Sequence, residues 1–485
     1  MEERSIPMKT FLKKNIFHAI TILIIGMVVS NALYAGGDKF SPRIVGMGRT
    51  FTAVSRGLDA VGVNPANLAL NDRDATVTID LIPMGLSVGS DFLNLKIYKD
   101  FFTGIPNPID PNNKDNRLVK NLSEQDKKDI LGLFPEGLAR TQVSAEAGLI
   151  GVSLQIGNFG FAIAPSIQAP VNLDLPKGYL EFPLNILPDK AFYSFDGTAL
   201  NAAVTAQVNA SAAYLLPIEF PQVSDISVGV GVKYLIGLAY VATDHYNANI
   251  STEGDLYTDQ NGNTEFLTKK IKGSFDFLQF VAVDTADQKP VGSGLGFDVG
   301  VSGLLFDMVQ FGVSVTDIGS MKWDKKTKAI IGKSSFEIIN PTDTAQQNTI
   351  ARSFKGKTID TTGFEFSLPT ALHLGAAIQL DDVIDALPFR WLVATDMHLG
   401  FNEVAGNTKL VQIAIGTELD PVAGWLPLRT GLLFGGRDRF SWSAGFGIHF
   451  ANTFDLDFAT QSIAILTNPE TFRTGSFTMG MRLRF

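Results

Sequence analysis

The chain contains no cysteine. A disulfide scaffold, a thiolate metal centre, a cysteine nucleophile and a lipid anchor on an N-terminal cysteine are thereby excluded. Charge is scarce as well, with 18% charged residues, a net charge of −9 and no cluster of lysine or arginine, so nucleic acid is a poor partner. Only five histidines occur, none in a recognisable catalytic motif or a zinc-binding HxxxH spacing. After the first 35 residues no uninterrupted run of 18 apolar residues is found, which argues against membrane-crossing helices. Yet 45% of the chain is hydrophobic, with 46 glycines and 36 phenylalanines. That apolar content needs another kind of home.

The N-terminus sets the compartment. Lys9, Lys13 and Lys14 precede an apolar stretch from Ile16 to Val29, and "SNALYAGG" follows, the tripartite order of a secretory signal. Residues 1–35 are expected to be that signal, with cleavage after Ala35 or Ala32.

What the rest of the chain has is alternation. In "ISVGVGVKYLIGLAY" (226–240) the even positions are Ile226, Val228, Val230, Val232, Tyr234, Ile236, Leu238 and Tyr240, and the odd ones include Ser227, Gly229, Gly231, Lys233 and Gly237. Period two marks a strand with one oily face. The pattern returns at 200–214, 295–301, 309–315, 372–380, 389–399, 411–419 and 440–450. A soluble sandwich also alternates, but here the strands are long and the second face is Gly, Ala and Ser rather than Lys and Glu. The chain therefore reads as all-β, a transmembrane antiparallel β-barrel of about 14 strands, in which closure pairs every backbone group, as lipid requires. The "GVGVG" run is part of a strand, not a phosphate loop.

The connections carry their own expectations. "FGGRDRFSW" (434–442) reads as a tight turn on the periplasmic side. Asn261-Gly262 within 255–270 reads as a hairpin turn rather than a calcium loop. The long insertion 101–141 contains Ser123 and Asp126, which can cap a helix whose Ile130, Leu131, Leu133 and Phe134 form an apolar end. That end is either a landing surface for ligand or a packing face against neighbouring loops. Trp391, Trp425 and Trp442 suit an interfacial girdle, whereas Trp323 suits packing at a strand end.

The final segment "SFTMGMRLRF" alternates through Phe477, Met479, Met481, Leu483 and Phe485. It resembles the closing strand of bacterial outer-membrane barrels, and Phe485 is the residue their insertion machinery would read.

A second resemblance sits at the start of the mature chain. "SPRIVGMGRTFTAVSRGLDAVGVNPANLAL" (41–70) is similar to the N-terminal signature of the FadL-type long-chain fatty-acid transporter superfamily, which includes PorV-like barrels. Matching elements are Gly46-Met47-Gly48, "AVSRGLDAVGV" and Asn64-Pro65-Ala66. Asn67 stands where that family usually has glycine, and asparagine is the next-best residue for a positive φ. The resemblance implies a lumenal plug over 36–72 inside a barrel over 73–485, with Gly46, Gly48, Asn64, Pro65 and Ala66 in plugging or gating. It also implies passage of hydrophobic small molecules such as long-chain fatty acids. The alternative is a PorV-like scaffold that binds secretion machinery or an exported protein and transports nothing.

Catalysis is not expected, because His373, Asp396 and His398 lie on strand faces without a nucleophile in reach. They read, with Arg390 and Arg429, as a lumenal polar network of paired charges. No metal and no cofactor is expected. The partners expected are outer-membrane lipid, the insertion machinery and a hydrophobic ligand, and the expected location is the bacterial outer membrane.

Overall fold

The alternating segments are strands. The computed structural model describes residues 40–106, 117–118, 122–184, 192–258, 264–339, 356–422, 424–450, 453–468, 470 and 473–485. The secretory-signal segment and the Asn261-Gly262 turn lie outside these residues. Strands occupy Ala199–Leu215, Val223–Thr258, Gly292–Leu305, Val309–Trp323, Ala371–Gln379, Arg390–Gly400, Gln412–Asp420, Arg439–Phe450 and Thr474–Arg484, matching the period-two segments within a few residues except where noted below.

Neighbouring strands pair antiparallel, and the last closes on the first. Thr78 faces Arg484 and Leu86 faces Phe477, while Phe485 exchanges backbone hydrogen bonds with Val77 at 2.9 and 3.0 Å. The result is a closed barrel. It runs through sixteen strands rather than fourteen, and some crossings are interrupted. Leu149 and Ile150 separate Leu138–Gly148 from Gly151–Ile156, and Ala169 and Pro170 separate Phe159–Gln168 from Val171–Pro176. Proline has no N–H to give to a ladder, which accounts for the second break.

The two faces of the wall differ as the alternation demands. Val228, Val230, Val232, Tyr234, Leu295, Phe297, Ile413, Ile415, Trp442 and Phe446 are exposed, whereas Ser227, Lys233, Asp298, Ser443 and Thr478 between and beside them are buried. Large apolar side chains out and polar ones in is the reverse of a soluble core. Trp323 is buried at the end of its strand, stacked on Tyr240 at 4.7 Å. Trp425 and Trp442 are exposed near opposite ends of the wall.

One hairpin outgrows the barrel. Val223–Thr258 has 36 residues, roughly 120 Å at about 3.3 Å per residue, against about 10 for a membrane crossing. Its first half pairs with Gly292–Leu305 and its second half with Thr264–Val283, which in turn pairs with Thr327–Ile338. The projecting sheet has a core of its own, built from Tyr193, Phe195, Ile250, Ile271, Phe275, Phe277 and Ile338.

One local expectation is corrected, and of two alternatives left open for a helix the structure shows one. The 434–442 turn joins Leu428–Gly435 to Arg439–Phe450 at the end of the barrel opposite Phe485, the end that carries the long connections. Gly435 and Gly436 close it with positive φ, and Asp438 in it is buried and accepts from Gln142, Gln461 and Thr474. The helix Glu124–Gly132 is capped by the Ser123–Asp126 box as expected. Its apolar end packs on the loops, the second of the two alternatives, with Ile130 and Phe134 buried against Phe92. It is not a landing surface.

Candidate functional site

The inward face of the wall meets one segment of chain, residues 40–70. Phe40, Met47, Phe51, Leu58, Ala60, Asn64, Ala66 and Asn67 in it are all nearly inaccessible. Little in this stretch alternates, so it forms no strand. It folds into a one-turn helix, Pro42–Gly46, and two 3-10 turns, Gly57–Ala60 and Pro65–Ala69. Proline at the first helical position suits both Pro42 and Pro65, since its missing N–H has no helical partner there.

Glycine is what lets this backbone approach the wall. A Cβ on Gly160 would stand 1.9 Å from the Leu68 carbonyl oxygen, one on Gly229 2.3 Å from Ala66 N, and one on Gly431 2.3 Å from Met47. Gly300, Gly312 and Gly416, on other strands, face the same segment at 2.0–2.4 Å, and Gly375 faces Thr52 at 2.8 Å. Within the segment, Gly48 has a φ of +67° and lies against the backbone of Gly431, and Gly46 lies against Gly445.

Polar side chains then fix the segment in place. Asn64 caps the Pro65–Ala69 turn by accepting from Ala66 N at 3.2 Å, while its amide donates to Ser302 Oγ at 2.8 Å and to the Thr52 carbonyl at 3.1 Å. Asn67 donates to the Thr52 carbonyl and to Ser55 Oγ. It sits inside a 3-10 turn and is not among the positive-φ residues, so it serves through its amide rather than as a stand-in for glycine. Asp396 accepts Phe51 N–H at 2.9 Å and Thr52 N–H and hydroxyl at 2.8 and 2.6 Å, all on one oxygen.

A chain of charges runs along the segment's edge near Phe485. Arg43 grips Glu418 in two bonds of 2.7 and 2.8 Å. Glu418 also accepts from Arg429, which pairs with Asp457. His449 Nε2 lies 3.3 Å from Asp457, and its Nδ1 faces Arg73 at 2.6 Å. Arg484 joins Asp455 at 2.8 Å to Asp72 at 2.9 Å. Arg482 holds Asp59 by two 2.9 Å bonds and also reaches Asp80. Burial, reinforced by the nearby Arg484 charge, lowers the Arg73 pKa below the ordinary guanidinium value.

Not all of the expected network comes together. His373 and His398 face each other across two strands, ring centres 4.6 Å apart, with His373 Nε2 3.0 Å from Thr316 Oγ1. Asp396 lies two residues away, but its bonds go to residues 51 and 52. Arg429 is in an ion-pair chain, but with Glu418 and Asp457. Arg390 is exposed at the start of its strand, opposite Asp420. Glu418, His449, Asp455, Asp457, Arg482 and Arg484 were not singled out; the clue was their recurrence on the polar face of closing strands, where a solitary lumenal charge is costly.

Two small cavities flank the segment. One, of about 90 Å³, lies between Ile44, Phe51 and Val63 on one side and His373, His398 and Leu433 on the other. The second, of about 50 Å³, adjoins Arg73, His449, Asp455 and Asp457. Such a set of contacts holds the segment against the wall.

Among solved structures, the Pseudomonas putida toluene transporter TodX aligns with 93% of this chain and 98% of its own at 10% identity and a TM-score of 0.43. A Pseudomonas aeruginosa FadL homologue aligns over 93% and 100% at 12% identity and a TM-score of 0.46. The translocator domain of the autotransporter NalP from Neisseria meningitidis aligns over 87% and 92% at 8% identity and a TM-score of 0.30. No curated protein matches the sequence. Residues 65–467 match the model of a family of unknown function, DUF5723, and with most of its length inside that match the chain belongs to this family.

Proposed function

We propose that this protein is an outer-membrane barrel that passes hydrophobic small molecules, with residues 40–70 as a displaceable lumenal plug. The wall supports the location. Its outward face carries the exposed side chains of Val228, Val230, Val232, Tyr234, Leu295, Phe297, Val299, Val301, Ile413 and Ile415, a surface that water penalises and hydrocarbon does not. The observation that carries the transport reading is the half-apolar chamber between Ile44, Phe51, Val63 and Leu433. It is small while the plug is docked and would widen when the plug moves. A solute crossing this barrier must leave water, and an apolar wall beside a removable plug supplies that step.

The projecting sheet favours a second reading, a scaffold for a secretion-linked or exported partner. Its separate aromatic core makes it stiff enough to present a surface, and transport has no need of it. Gentle extraction followed by native mass spectrometry separates the two. A retained lipid-like or other apolar ligand supports transport. Repeatedly ligand-free protein that arrives with a large exported partner supports the scaffold.

A further inference from the structure

We infer that His449, Asp455 and Asp457 form a divalent-cation site for which the Arg73 guanidinium is the tethered competitor. One ligand atom from each of the three lies within 4.8 Å of the others. Imidazole with two carboxylates is a donor set for zinc-like ions, with water completing the shell. A second observation points the same way. Asp455 Oδ1 is buried on a side chain 1% exposed and has no hydrogen-bond partner, although it lies 3.7 Å from His449 Nδ1. A buried carboxylate oxygen left unpaired is costly, and a cation is what would satisfy it. The adjoining cavity of about 50 Å³ has room for an ion and its water.

What holds the place now is Arg73. Its Nη1 is 2.6 Å from His449 Nδ1 and 3.6 Å from Asp455, so a metal on that nitrogen and the docked guanidinium exclude each other. Charge leads to the same exclusion. In the linked chain Arg43, Arg73, Arg429 and Arg484 balance Glu418, Asp457, Asp455 and Asp72. Withdrawing Arg73 leaves one negative charge uncompensated on the wall, where the three ligands stay. Arg429 and Arg484 remain bound to the carboxylates from outside and orient them. Arg73 lies just past the proposed plug, so, resting on that reading, plug withdrawal uncovers the site and a bound cation opposes re-docking.

The test uses cobalt(II) as the probe on the full chain in detergent. Its visible absorption reports the coordinating nitrogen and oxygen atoms, and the barrel fold is verified first by heat-dependent gel migration. Arg73→Gln, with Arg73→Ala as the second variant, is expected to bind one cobalt per chain at least tenfold more tightly than wild type. Adding His449→Ala to either is expected to abolish the visible bands. Folded Arg73 variants that take up no cobalt, or uptake that survives His449→Ala, would overturn the site. Wild type binding as tightly as the variants would overturn the competition. Solute passage is not measured, so a failure here is separate from a failure of transport.

Discussion

The Oδ2 atom of Asp396 accepts both the backbone N–H and the hydroxyl of Thr52, at 2.8 and 2.6 Å. A carboxylate on the wall thus holds a turn of the lumenal segment by its backbone, with Phe51 N–H as a third donor. Asp396→Ala strands these donors in a buried place, at about 1–3 kcal/mol for each one left unsatisfied. The expected outcome is a barrel that still forms but takes up a small apolar dye several-fold faster in whole cells. Unchanged uptake would count against Asp396 as a latch.

Glycine at the wall gives a steric test. Gly229→Ala puts a methyl 2.3 Å from Ala66 N and 2.4 Å from Pro65 C, and backbone on both sides cannot yield cheaply. Overpacking of this kind costs about 1–3 kcal/mol, and here the segment can escape it by undocking. Limited proteolysis is expected to cut residues 40–70 faster in this variant. Gly132→Ala is the control, since no atom lies within 4 Å of its Cβ and alanine is the better helix former by about 1 kcal/mol; its digestion pattern should match wild type.

Arg429 joins two carboxylates, Glu418 on the adjoining strand and Asp457 two strands away, and is itself buried. Removing one partner of a buried ionic set leaves uncompensated charge, worth about 3–5 kcal/mol. Arg429→Ala is expected to lower the temperature at which the compact gel form is lost, and Arg390→Ala, at an exposed position, to leave it unchanged.

His245 stands on the projecting half of its strand, beyond the apolar belt. Hydrogen bonds that its ring donates to Asp244 and to Asp276 raise its pKa above the ordinary 6.5. A raised folded pKa means the contribution to stability is complete below the unfolded value, near 6.5, and is lost as pH rises through the folded value. The imidazole resonance should therefore titrate above 6.5, and Asp276→Asn should move the midpoint down. A midpoint at or below 6.5 in wild type would contradict the geometry.

Much of the barrel was legible because a closed wall with an apolar outer face imposes a binary rule on each strand. Val228 to Tyr234 and Ile413 to Ile415 had to face out, so Gly229, Lys233 and Ala414 had to face in. The same rule hid what happens past the apolar belt. After Tyr240 the strand continues through "VATDHYNAN", where both faces can be wet and period two fades, so the projecting half of Val223–Thr258 could not be read. The glycines of the inner face were visible as small residues, but only register shows that Gly160, Gly229 and Gly431 stand opposite Leu68, Ala66 and Met47. Arg429 reads from the sequence as a paired lumenal charge without named partners, and those partners are set by the strand order, Glu418 across one pair and Asp457 farther round the wall. Asp396 looked like a salt-bridge carboxylate, and its actual partners are N–H groups of residues 51 and 52, which no charge pattern announces.

The wall-facing claim is tested most directly at Trp442, an exposed residue whose Nε1 donates to Thr430 at 2.9 Å. A variant keeping Trp442 while Trp323, Trp391 and Trp425 become phenylalanine is reconstituted into vesicles of lipid brominated along the acyl chain, and its fluorescence is compared with that in unbrominated lipid. Strong quenching is predicted, because the indole lies against the hydrocarbon. Fluorescence equal in the two lipids would mean that this face never meets the bilayer.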